Sequence, residues 1–145
     1  MENAKSKIIN EIAQDIDMGY DCYYNPQTDE IISIPDLDQA LDEEVIYEAF
    51  GEQIKEVTDN SDKYIKFKPL WSRDSFKIME RFADQMEDQE FQAKLYNALN
   101  RRKPFRNFKN IVDSSDYRQT WFDFKIKALE EFVAEELKHR KPGEY

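Results

Sequence analysis

A chain of 145 residues, 40% hydrophobic and 14% aromatic, can bury about two-thirds of its unfolded surface around one core, and the aromatic share excludes a disordered chain despite 36% charged residues. The formal net charge of −10 is divided unevenly: residues 1–60 carry three Lys and sixteen Asp and Glu, or −13, and residues 61–145 carry eighteen Lys and Arg against fifteen acids, or +3. No window reaches the roughly 18 to 20 apolar residues of a membrane span, MENAKSKIIN lacks the apolar core of a signal peptide, and the single Cys22 excludes an intramolecular disulfide; a reducing cytoplasm is the expected compartment, with no membrane partner.

In chain order, Ser6 to Met18 places Ile8, Ile9, Ile12, Ala13 and Ile16 at helical spacing, with Gly19 where a left-handed cap belongs. Two β-rich runs follow, Asp21 to Tyr24 and Glu30 to Ile34, around the turn formers Asn25, Pro26 and Asp29, which predicts a hairpin. Asp42 to Val57 carries a helical stripe of Val45, Ile46, Ala49, Phe50, Ile54 and Val57, despite Gly51 in its interior. Asp62 to Lys68 reads as a third strand.

From Asp74 onward the periods are helical. Phe76, Met79, Ala83 and Met86 form one stripe, and Phe91, Leu95, Ala98 and Leu99 form the next. Pro104 cannot continue that helix but suits the first position of another, which carries Phe105, Phe108, Ile111 and Val112 as its core stripe. Ser114 or Ser115 is then expected to cap a last helix running to about Arg140. Its rows Trp121, Phe124, Ala128, Phe132 and Phe122, Ile126, Leu129, Val133, Leu137 make an unusually wide apolar face. The expectation is one α+β domain over 1–145: an N-terminal helix and a small antiparallel sheet (hairpin plus one strand) in 1–70, packed on a helical bundle in 71–145.

The segments CYYNPQTDEIISI, PLWSRDSFKIMERFADQM, LNRRKPFRNFK and WFDFKIKALEEFV, in that order, resemble a bacterial family catalogued as an uncharacterised protein family, number 158 of the UPF series. The resemblance spans roughly Tyr20 to Leu137. In the family's pattern a Gly stands in the hairpin turn where this chain has Asp29, and a Gly-rich joint stands where it has Arg101 to Pro104. The resemblance implies one continuous domain and no enzyme activity, cofactor or substrate.

The residues themselves exclude several chemistries. With Gly only at 19, 51 and 143, neither a phosphate-binding loop nor a dinucleotide-binding turn can form. His139 is the only imidazole and lies near a helix C-terminus, and one Cys with one His cannot make a zinc site. No cation lies beside Cys22 to lower its pKa, so it reads as a small core residue. Asp36, Asp38, Asp42, Glu43 and Glu44 cluster without calcium-loop spacing and read as acids complementing a helix N-terminus. Glu131 with Glu135 is an acid pair with Lys127 one turn before it, and Asp123 and Glu130 are expected in solvent. No catalytic residue, metal site or cofactor follows.

Two features remain. Residues 91–112 contain no acid but six cations, four of which crowd the joint around Pro104; Arg101, Arg102 and Lys103 precede that proline at the positive end of the following helix, where an anion is preferred, and Arg106 and Lys109 follow within that helix. These five are the candidate anion-binding residues, with neutralisation by the acidic N-terminal half as the opposing expectation. Lys125 falls inside the apolar face of the last helix, as a pocket residue or as a cation stacked on Trp121 or Phe132. The expected function is a non-enzymatic binding or regulatory module acting through contacts with an unidentified protein partner; the alternative is a nucleic-acid or phosphate binder working through the basic joint.

Overall fold

The computed structural model describes residues 2–36 and 42–143. The fold is α+β: six α-helices and a three-stranded antiparallel sheet of order β2-β1-β3 among the described residues. In chain order these are α1 (Glu2–Asp17), β1 (Tyr20–Asn25), β2 (Glu30–Pro35), α2 (Glu43–Asp59), β3 (Ile65–Phe67), α3 (Ser72–Asp84), α4 (Gln89–Leu99), α5 (Pro104–Asp113) and α6 (Arg118–His139). The chain forms two compact units, Met1–Pro69 with Leu129–Tyr145 and Leu70–Ala128, and α6 runs through both.

The first unit is built on the hairpin. Gly19 ends α1 at φ 91, and Asp29 takes φ 62 in the turn, a conformation Asp adopts more readily than most residues. Asp29 also accepts a hydrogen bond from Tyr24 Oη at 2.7 Å, which ties the turn to β1. Pairing of Tyr23 with Ile32 and of Cys22 with Ser33 sets the register. Because strand side chains alternate, Tyr23, Ile32 and Ile34 share one face, where Phe50, Ile54 and Val57 of α2 pack with Tyr64. Cys22, Tyr24, Ile65 and Phe67 occupy the other face, where Ser33 hydrogen-bonds Asp15 of α1. Both faces of β1 are therefore covered, consistent with its central place.

Local sequence explains the departures from regularity. Phe50 has φ −122 and ψ 18 and kinks α2 beside Gly51, so the glycine loosens the helix without ending it. The third strand is shorter than Asp62 to Lys68: Ser61–Lys63 forms a 3-10 turn, and only Ile65–Phe67 pairs with β1.

The second unit packs α3, α4, α5 and the first half of α6. Its core gathers Met79, Phe82, Leu95, Phe108 and Val112, with Trp121 and Phe124 of α6 half-buried against it. The Phe82 ring meets Phe108, Trp121 and Phe124 edge-on, with centroids 6.2, 5.2 and 5.3 Å away. Neither Ser114 nor Ser115 caps α6. Ser114 ends α5, and Ser115 Oγ donates to Val112 O at 2.7 Å and accepts from Tyr117 N at 3.0 Å, so it shapes the turn before α6 starts at Arg118. The wide apolar face of α6 is only partly used: Ile126, Ala128, Leu129 and Val133 are buried, while Phe122 and Phe132 stay exposed.

Candidate functional site

Residues 99–104 turn the chain from α4 into α5, and their own hydrogen bonds hold the turn. Asn100 N and Arg101 N donate to Tyr96 O and Ala98 O at the end of α4. Lys103 takes a left-handed φ of 55 as the N-cap of α5, and Pro104 supplies the first helical residue, as its fixed φ favours. Asn107 reaches back, its Nδ2 donating to Arg102 O at 2.8 Å and its backbone N–H to Lys103 O at 3.1 Å. The backbone that carries the cations is therefore fixed even though their side chains lie in solvent.

Arg101, Arg102, Lys103, Arg106 and Lys109 are all exposed, and among the described residues none of the five takes part in an ion pair or a side-chain hydrogen bond. The first turn of α5 contains no acid, and no side chain caps it. The contrast with α4 is instructive. There Asp88 Oδ1 accepts from Phe91 N at 3.0 Å and Oδ2 accepts from Tyr117 Oη at 2.9 Å, and these bonds hold its carboxyl below the usual range. At α5 the same dipole end faces cations, an arrangement that favours an anion from outside. The unit Leu70–Ala128 has twelve Lys and Arg against nine acids, a net +3 within a chain of −10.

Phe105 departs from expectation. Its spacing predicts a core residue beside Phe108, and only Phe108 is one, at 1% exposure; Phe105 is 41% exposed. Its ring meets Phe76 edge-on, centroids 6.4 Å apart, and the rest of it is open to solvent. Phe105 sits one position from the stripe's centre at the very start of α5, where the helix has no preceding turn to shield it. Lys109, one turn on, shares its side of the helix.

Lys125 is half-buried, its Nζ 5.7 Å from the centroid of Trp121 and 5.8 Å from that of Phe122. The cation is thus seated on rings. One partner is the expected Trp121, and the other is Phe122 rather than Phe132, because i−3 lies nearer than the next turn but one.

The carboxylates are brought together differently from their order in sequence. Asp36 is buried and lies 3.4 Å from Lys68 Nζ, which also reaches both oxygens of buried Asp21 at 3.2 Å. Burial raises the Asp21 pKa above its ordinary value, while Lys68 opposes the shift. Asp42 instead caps α2 through Val45 N, and Glu43 and Glu44 occupy its first turn, as acids at a helix start should. Asp38 lies outside the described residues. Glu130 is not simply solvated, since it accepts from Asn10 Nδ2 at 3.1 Å, whereas Asp123 is exposed and accepts from Gln119. Among the described residues no group of three or more His, Cys, Asp or Glu is placed to hold a metal, and no helix is long and apolar enough to cross a membrane. Cys22 is fully buried and its thiol pKa is pushed up by burial and by Asp15. His139 is exposed on the last turn of α6, 2.8 Å from Glu135.

The model of the Uncharacterised protein family UPF0158 matches residues 3–142, and the chain belongs to that family. It is similar to a UPF0158 protein of Pseudomonas aeruginosa, 26% identical over 137 residues that cover 89% of this chain and 79% of that protein. No solved structure matches.

Proposed function

We propose that this UPF0158 member is a non-enzymatic binding module that grips single-stranded nucleic acid at the α4–α5 joint. The reading rests on the five exposed cations, none of them ion-paired among the described residues, in a segment that also exposes the Phe105 ring. Cations supply sequence-independent attraction to phosphates, and an exposed ring offers a surface for an unpaired base. Duplex DNA presents no free base face, so Phe105 favours single strands.

The test is fluorescence anisotropy with a labelled oligouridine over a salt series. Binding should weaken linearly on logarithmic axes, with a slope of about 0.7 per phosphate neutralised. Replacing Arg102 and Arg106 by Ala should flatten the slope by one to two contacts and leave the melting temperature unchanged, whereas Phe105→Ala should lower affinity about tenfold and leave the slope intact. Absence of binding at low salt overturns the reading, as does a double variant that loses stability but no affinity. A protein-contact function stands second, on Trp71, whose side chain is 77% exposed at the head of α3. A nuclease-resistant complex that Trp71→Ala abolishes would favour it.

A further inference from the structure

Phe91 of α4, Ile111 of α5 and Tyr117 in the turn before α6 wall a cleft of about 520 Å³ inside the unit Leu70–Ala128. That volume falls in the range occupied by small-ligand sites. The chain turns back between α4 and α5, so residues from the first half of α4 meet residues from the last half of α5, and the cleft lies at the end of the pair away from the basic joint. Asp88 fixes its frame: Oδ1 accepts from Phe91 N at 3.0 Å and Oδ2 from Tyr117 Oη at 2.9 Å, and the two rings lie with centroids 4.6 Å apart. Ser115 is committed as well, to Val112 O and Tyr117 N. The aromatic wall is therefore tied in place.

The rest of the polar lining is uncommitted. Lys94, Asn110, Ser114 and Asp116 are exposed, and among the described residues none of their side chains takes part in an ion pair or a hydrogen bond. Lys94 stands on α4 and Asp116 in the turn before α6, two opposite charges on different elements that do not pair with each other. Their fields reach the frame without contact. The Asp88 carboxyl is held low first by the bond from Phe91 N and least by Lys94, and the Tyr117 hydroxyl is held high first by its bond to Asp88 and least by Asp116. Asn110 and Ser114, one helical turn apart, add an amide and a hydroxyl that can each donate or accept.

We propose that this cleft binds a free α-amino acid with an apolar side chain, its carboxylate toward Lys94, its ammonium toward Asp116 and its side chain against Phe91, Ile111 and Tyr117. A simple anion would meet Asp116 and a simple cation would meet Lys94, whereas a zwitterion answers both charges and an apolar body uses the walls. L-Phenylalanine, N-acetylphenylalanine, which lacks the ammonium, and phenylalaninamide, which lacks the carboxylate, separate these cases in a calorimetric titration followed by amide NMR. Phenylalanine should bind at one saturable site and shift the amides of Phe91, Ile111 and Tyr117, while the two blocked forms bind at least about tenfold more weakly. Lys94 and Asp116 are exposed, so the single variants K94Q and D116N should fold normally. K94Q should raise the Kd for phenylalanine about tenfold without raising that for phenylalaninamide, and D116N should do the same with N-acetylphenylalanine as the unaffected ligand. No saturable binding of phenylalanine, a blocked form binding as tightly, or an unchanged Kd for phenylalanine in either variant would each overturn the proposal.

Discussion

Phe82 is the residue on which the second unit should depend most. It is 0% exposed and its ring is met edge-on by three others, Phe108, Trp121 and Phe124, all within 6.2 Å. Truncation to Ala removes the transfer free energy of the ring and leaves a cavity between rigid neighbours, a loss of about 3–5 kcal/mol. Edge-to-face pairs are worth about 0.5–1.5 kcal/mol beyond buried area, which places Phe82 at the upper end of that range. The unit Leu70–Ala128 is small, and at about 0.05–0.15 kcal/mol per residue its whole stability is some 3–9 kcal/mol. Phe82→Ala is thus expected to unfold this unit or leave it barely folded. Phe82→Leu retains most of the volume and should cost about 1–2 kcal/mol, moving a urea midpoint by about 1 M.

Both tryptophans of the chain lie in this unit, and they differ in use as probes. Trp121 has its ring 5.2 Å from Phe82, while Trp71 is 77% exposed and should change little on unfolding. Intrinsic fluorescence in a urea titration therefore reports on the cluster itself. A loss below about 1 kcal/mol for Phe82→Ala would show that the four rings do not form the core. A double-mutant cycle with Trp121→Phe, read by circular dichroism, should return a coupling of about 0.5–1.5 kcal/mol, and a coupling of zero would refute the edge-on contact.

Two further outcomes follow from the first unit. The folded-state pKa of Asp21 is raised, first by burial, so between its ordinary value of 3.8 and the raised one the folded chain holds a proton that the unfolded chain has lost. Stability from this group is full below 3.8 and declines as pH rises through that window; the decline should vanish in Asp21→Asn, and identical pH profiles of midpoint for the two proteins would refute the assignment. Cys22 is fully buried with its thiol pKa raised, so an aromatic disulfide reagent should label no thiol in the native protein and one per chain in denaturant. Rapid labelling of the native protein would contradict the placement of β1 at the centre of the sheet.

What could be read from the sequence was whatever depends on neighbours along the chain. The Asn25 to Asp29 turn, the Gly19 cap and the Pro104 helix start are written in a few consecutive residues, and each appears where the local rule puts it. In α3 the residues Met79, Ala83 and Met86 already satisfy the helical period without Phe82; its position three residues after Met79 serves the same face, but only the arrival of α5 and α6 makes it the centre. Phe105 shows the opposite case. Its spacing to Phe108 and Ile111 is that of a buried stripe, but a stripe does not say where the neighbouring helices end. Asp21 lay unnoticed in a strand because the alternation that exposes every second residue fails when both faces of the strand are covered.

Charge shows the same boundary between local and tertiary information most sharply. A count of residues gives −10 and a basic stretch near Pro104, and it treats Lys68 and Arg102 as equivalent. They are not: Lys68 lies within 3.4 Å of two buried carboxylates, and its removal would leave both of them in a low-dielectric setting, whereas Arg102 is in no ion pair among the described residues. Five acids of residues 1–60 have partners within the first unit: Asp21 and Asp36 pair with Lys68, Asp42 caps α2, and Glu30 and Glu56 accept from the Tyr64 hydroxyl. Among the described residues none of the five cations at the joint is ion-paired, and since long-range repulsion of polyanions is screened beyond about 8–10 Å at ordinary salt, the proposed binding depends on the field of the joint rather than on the net charge of the chain.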